Sequence, residues 1–224
     1  TGSTGDDTIT MGGVITGAVY DLGSGTDIIT LTSGTNSITA SNVETVTGGT
    51  GADAVTFGAS ISGAVINLGT GSDSLTLAAG GNTISASGIE SLTGGGGDDV
   101  VTLTTSASGT TVDLGAGAAD ALTLAPGGNT VIVSNAETIT GGVNGDNVTL
   151  GAALTAASID LAGGTDTLTL ANGTNAISVA NVESILGAAG SDTITLNAAI
   201  AGANINLAGG SDALTLFDTA TNSL

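Results

Sequence analysis

The phrase "GGTGADAVT" (Gly48–Thr56), answered by "LGTGSDSLT" (Leu68–Thr76), decides how this chain folds. Each is a Gly-rich turn, an Asp, and then apolar–Thr–apolar. Alternation of apolar and polar residues marks a short strand with one buried face. The phrase recurs ten times, at Asp7, Asp27, Asp53, Asp73, Asp99, Asp120, Asp146, Asp166, Asp192 and Asp212. Two residues after each Asp stands Ile, Leu or Val, from Ile9 and Ile29 to Leu214. The next residue is always Thr, from Thr10 to Thr215. The apolar residues point inward and Thr points out.

The phrases belong to a longer repeat of 46 residues, with one insertion in the third copy. The copies are 1–46, 47–92, 93–139, 140–185 and a truncated 186–224. A three-residue strand cannot bury its face alone, whereas a stack of them forms a continuous wall. The pattern predicts an all-β, right-handed parallel β-solenoid of the β-roll or β-helix kind over residues 1–224. It predicts about ten coils, alternating ~20 and ~26 residues, two coils to a repeat. Strands such as "VINLG" would face Ile66 and Leu68 inward, and two further strands are expected around Ile84 and Ile89. Gly and β-branched residues dominate and no 3.6-residue stripe occurs, so a helical reading fails.

Composition removes whole classes of chemistry. The chain has 20 acidic residues and no Lys, Arg or His, for a net charge of -20. Without His and Cys there are no Ser-His-Asp or Cys-His triads, zinc sites or haem ligands. Without Lys there is no Schiff base and no phosphate-gripping P-loop. The charge repels nucleic acid and anionic lipid. No apolar run reaches the 18 residues of a membrane-spanning helix. Yet 40% of residues are hydrophobic, enough for a core if the pattern places them well. The reading is therefore non-catalytic. Composition is uniform from Thr1 to Leu224, which leads us to expect a slice of a longer chain or a processed product. The uncapped phrases "GSTGDD" and "FDTATNSL" at its two ends lead us to expect neighbouring repeats or identical subunits stacked end to end.

The turns carry a resemblance. "GGTGADAVT" and "GGGGDDVVT" (Gly94–Thr102) fit G-G-x-G-x-D-x-U-x at every defined position. This resembles the nonapeptide of the RTX, or haemolysin-type calcium-binding, repeats. "GSTGDDTIT", "GGVNGDNVT" and "GAAGSDTIT" each depart at one Gly, and five phrases begin with Leu. The resemblance implies Ca²⁺ held by the ten Asp residues. It also implies secretion by a type I system to the bacterial cell surface, in a surface layer, adhesin or filament. Physics points the same way. Carboxylates stacked at ~4.8 Å repel by roughly 3–4 kcal/mol at an effective dielectric of ~20. Oxygen ligands of this kind suit Ca²⁺ better than Mg²⁺. The expectation is one edge column of ten Asp residues, with about one Ca²⁺ in each gap between coils.

Other columns read differently. Glu44, Glu90, Glu137 and Glu183 occur once per repeat and are expected on a solvated outer face. Asn36, Asn82, Asn129 and Asn175 are expected in turns or a side-chain ladder, and Asp21, Asn67, Asp113, Asp160 and Asn206 form a sparse column. The outward Thr ladder invites an ice-binding reading, but its flanking outward position varies from Thr8 to Ile28 to Ala54. A carbohydrate-binding face would want aromatics, and the chain has only Tyr20, Phe57 and Phe217. A non-catalytic appendage of a secreted hydrolase is a further alternative.

Overall fold

The computed structural model describes residues 2–200 and 202–217. Among the described residues it is all-β with no helix: a parallel β-solenoid of about ten turns built from two sheets. The chain forms two compact units, Thr1–Thr105 with Thr110–Ala118, and Ser106–Gly109 with Ala119–Leu224.

The first unit holds β1 (Thr8–Thr10), β2 (Thr16–Asp21), β3 (Ile28–Thr30), β4 (Ser37–Ser41), β5 (Thr45–Thr50) and β6 (Ala54–Phe57). It continues through β7 (Ser62–Thr70), β8 (Ser74–Thr76), β9 (Thr83–Ser87), β10 (Ser91–Gly96), β11 (Val100–Leu103) and most of β12 (Ser108–Ala116). Odd-numbered strands pair in parallel as one sheet, β1-β3-β5-β7-β9-β11, and even-numbered strands as the other.

The second unit holds β13 (Ala121–Thr123), β14 (Thr130–Ser134), β15 (Thr138–Thr140), β16 (Asn147–Leu150), β17 (Thr155–Asp160) and β18 (Thr167–Thr169). It ends with β19 (Ala176–Ala180), β20 (Ser184–Leu186), β21 (Thr193–Leu196), β22 (Asn204–Asn206) and β23 (Ala213–Thr215). The same odd and even division holds there.

The apolar–Thr–apolar reading matches the burial. Ile29, Val55, Leu75, Val101, Leu122, Val148, Leu168 and Ile194 are buried, as are Leu31, Phe57, Leu77 and Leu103 one step further on. The intervening Thr residues are exposed or half-buried. Ile66 and Leu68 of β7 point inward as expected. Burial of each such aliphatic side chain contributes about 1.5–3 kcal/mol.

The coil lengths depart from expectation. The five strands of each repeat, β1–β5 and then β6–β10, agree with the expected number, but they do not divide into one two-strand and one three-strand coil. Two strands make one coil, so a repeat is two and a half coils. Within the first unit, Asp7 and Asp27 precede odd strands, Asp53 and Asp73 precede even strands, and Asp99 precedes odd β11. In the second unit Asp120, Asp192 and Asp212 precede odd strands, whereas Asp146 and Asp166 precede even ones. The single column of ten Asp residues is thereby corrected to two corners on different sheets. Residues that meet across adjacent coils here are 20 or 17 apart. The 26-residue interval from Asp27 to Asp53 is one 17-residue coil to Glu44 plus a nine-residue half-coil (53 − 44).

Candidate cation-binding corners

Asn36, Asp53, Asp73 and Glu90 each occupy the residue just before an even strand of the first unit. Side chains link them coil to coil. Asn36 donates from its backbone N–H and from Nδ2 to Asp53 Oδ1, at 3.0 and 2.8 Å. The N–H of Asp53 donates to Asp73 Oδ1 at 2.7 Å, and that of Asp73 to Glu90 Oε2 at 2.7 Å. The strand ladder has not begun at these positions, so the side chain of the next coil supplies the acceptor that a buried N–H requires.

The same order recurs elsewhere. At the odd corner of the first unit, Asp7 N–H donates to Asp27 Oδ1 at 2.7 Å and Asp27 N–H to Glu44 Oε2 at 2.7 Å. In the second unit, Asn129 caps onto Asp146, Asp146 onto Asp166 at 2.6 Å, and Asp166 onto Glu183 at 2.8 Å. Asn175, Asp192 and Asp212 repeat the sequence at its odd corner. Asn36, Asn82, Asn129 and Asn175 anchor the runs that they begin. Asn82 Nδ2 donates to Ala78 O and Gly80 O as well as to Asp99 Oδ1, and its Oδ1 accepts from Ile61 N–H.

The Glu expectation is therefore corrected. These side chains are exposed or half-buried, but their carboxylates belong to the corners as acceptors, each placed by a buried neighbour such as Val43 or Ile89. A signal was present in the sequence. Asn36 to Asp53 and Asp73 to Glu90 are both 17 residues, the short coil step.

The second carboxylate oxygen divides the Asp residues into two kinds. In the Gly-Gly phrases it accepts a backbone N–H four residues back. Gly49 donates to Asp53 Oδ2 at 3.3 Å, and Gly142 to Asp146 Oδ2 at 2.9 Å. In the Leu-led phrases that N–H goes elsewhere. Gly69 donates to Asn67 Oδ1 at 3.1 Å in an Asx turn, with Gly69 at φ 91°. Ala162 donates likewise to Asp160 Oδ1 at 3.0 Å. At Asn67 and Asp160 the sparse column thus takes the N–H that in the Gly-Gly phrases caps the Asp. The Oδ2 atoms of Asp27, Asp73 and Asp166 are buried with no hydrogen-bond donor.

Asp192 Oδ2 is also buried without a donor, for another reason. Its turn carries Ala188 where the others carry Gly49, Gly95 or Gly142. A Cβ on Gly95 would lie 2.5 Å from Ala78 O, and one on Gly49 2.9 Å from Ser33 N, so Ala188 cannot copy that close approach.

Asp27, Asp73, Asp166 and Asp192 are 0–1% exposed, so each oxygen lies in a low-dielectric setting. Burial raises the Asp73 carboxyl above its ordinary value, opposed by the Asp53 N–H and reinforced by repulsion from Glu90 and Asp53. Asp166 is raised by burial in the same way, with Glu183 and Asp146 as its repelling neighbours. Orphaned anionic oxygens beside acidic neighbours fit a hard cation such as Ca²⁺, which takes oxygen ligands. Among the described residues no three acidic side chains converge as a ready-made metal group, so backbone oxygens and water would have to complete any such site. No family model, no curated protein and no solved structure matches the chain.

Proposed function

We propose that this chain is a calcium-dependent structural repeat module of a secreted bacterial cell-surface or matrix protein, such as a surface layer, an adhesin stalk or a filament. The observation that carries the reading is the set of buried Asp Oδ2 atoms without donors, in a chain that has no cationic side chain to answer them. A buried unpaired charge is strongly unfavourable, and an external divalent cation relieves it. The RTX resemblance of the Gly-rich turns supports the extracellular setting, where Ca²⁺ is abundant. Its role is spacing and rigidity rather than covalent chemistry. Equilibrium dialysis against Ca²⁺ tests this: saturable uptake is expected at ~10⁻⁴–10⁻³ M, the range of extracellular modules. No uptake at tenfold higher Ca²⁺ would sink it.

One observation favours a second reading, an ice-binding face. On the even sheet of the first unit Thr39, Thr56, Thr76 and Thr93 stand in register. Ser37, Ala54, Ser74 and Ser91 run beside them two residues earlier. The half-coil strands β4 and β10 supply hydroxyls that the ten phrases alone lack, so the array is denser than the sequence suggested. Thermal hysteresis lost on Thr76→Tyr would support that role, and its absence in the parent chain would exclude it. Sugar stacking is disfavoured, because Phe57 is buried in the core.

A further inference from the structure

We propose that the calcium ligands are Asp27, Asp73 and Asp166, each in a Leu-led phrase, together with Asp192, and that Asp53 and Asp146 of the Gly-Gly phrases are structural caps. This rests on the calcium reading above and refines it from one ion per gap to sites set by a neighbouring side chain. Asp53 shows the capped state: Oδ1 accepts two bonds from Asn36 and Oδ2 accepts one from Gly49. Both of its oxygens are engaged by donors, so a cation there would displace hydrogen bonds already made. Asp73 shows the open state: Oδ1 accepts from Asp53, while Oδ2 is buried with no donor.

The switch between the two states is two residues before the turn Gly. Asn67 takes the Gly69 N–H, which the equivalent Gly49 gives to Asp53. At the equivalent position before Asp53 stands Thr47, and before Asp146 stands Thr140. Asp160 takes the Ala162 N–H and leaves Asp166 open in the same manner. Because each repeat is two and a half coils, the open Asp residues fall on the odd sheet at Asp27 and on the even sheet at Asp73 within the first unit. Calcium would then tie both corners of that unit rather than one.

The test is Ca²⁺ stoichiometry by isothermal titration calorimetry on the full chain, with circular dichroism as the check of fold. Asp73→Asn should remove one ion per chain while keeping the Oδ1 acceptor for Asp53. Asn67→Ala removes no carboxylate, yet frees the Gly69 N–H to cap Asp73 and should also remove one ion. Asp53→Asn should leave the count unchanged. A count that falls by one in Asp53→Asn, or is unaltered in both Asp73→Asn and Asn67→Ala, overturns this assignment while the calcium reading stands. A parent chain that takes up no Ca²⁺ overturns the calcium reading itself, and this assignment with it.

Discussion

The backbone N–H of Asp73 donates to Glu90 Oε2 at 2.7 Å, across one 17-residue coil. Two acids of the same repeat, on adjacent coils, are thus joined by a hydrogen bond from the main chain of one to the side chain of the other. The arrangement turns a repelling column into a ladder, because each carboxylate meets a backbone donor as well as its acidic neighbour. It also gives an exposed Glu a structural duty.

Removing that acceptor should be costly. Glu90→Ala leaves the Asp73 N–H without its partner, and an unsatisfied buried donor costs about 1–3 kcal/mol. Glu90→Gln keeps a carbonyl oxygen for the same bond and should lose much less. Urea unfolding midpoints of the two variants check this, and equal losses would show that the contact matters only through charge.

Asn82 should prove the more sensitive corner residue. It is buried, and its side chain donates to Ala78 O, Gly80 O and Asp99 Oδ1 while accepting from Ile61 N–H. Asn82→Ala strands several groups at once and should destabilise more than Glu90→Ala. Asn82→Asp should be worse still, since it replaces a donor facing Asp99 with a negative charge. Thermal unfolding in a fixed Ca²⁺ concentration gives the order.

Much of this was legible in the residues. The apolar–Thr–apolar phrase around Val55 and Leu75 defines a strand with one buried face, and those side chains are in the core. Parity was harder to see. Five strands per repeat leave successive repeats half a coil out of step, yet Asp27 and Asp53 head similar phrases although they precede strands of different sheets. Only the pairing register shows that Ile28 meets Thr45, not Ala54. The Glu residues were misplaced because Glu90 is exposed, and exposure alone does not tell a solvated side chain from one that caps a neighbouring N–H. The 17-residue interval shared by Asn36–Asp53 and Asp73–Glu90 was the available clue.

Without calcium, stability should depend on pH in an unusual direction. The Asp73 and Asp166 carboxyls lie above 3.8, chiefly through burial. A raised folded-state value means that the native chain holds protons the unfolded chain has released. Their stabilising contribution is present below 3.8 and is lost as pH rises through the higher folded values. Chelated protein should therefore gain stability from these two groups on mild acidification, and Asp73→Asn should flatten the dependence. Circular dichroism of the chelated chain across a pH series checks this: a β-signal that grows as the pH falls is expected, and one that shrinks would show that the two carboxyls are held ionised.

Close packing of the Gly-rich turns makes a separate prediction. A Cβ on Gly95 would lie 2.5 Å from Ala78 O and 2.8 Å from Ala79 Cα, so Gly95→Ala must push adjacent coils apart. Overpacking of this kind costs about 1–3 kcal/mol. A Cβ on Gly13 meets nothing within 4 Å, so Gly13→Ala should be close to neutral. Comparable losses in the two variants, measured by chemical denaturation, would contradict the observed coil contact.

The most direct test of the whole account is far-UV circular dichroism of the chain in excess chelator, followed by titration with Ca²⁺ into the millimolar range. If buried Asp oxygens need a cation, the chelated chain at neutral pH should lack its β-signal and recover it as Ca²⁺ is added, with Mg²⁺ a poor substitute. A β-signal of full strength in chelator, unaltered by Ca²⁺, would contradict the account.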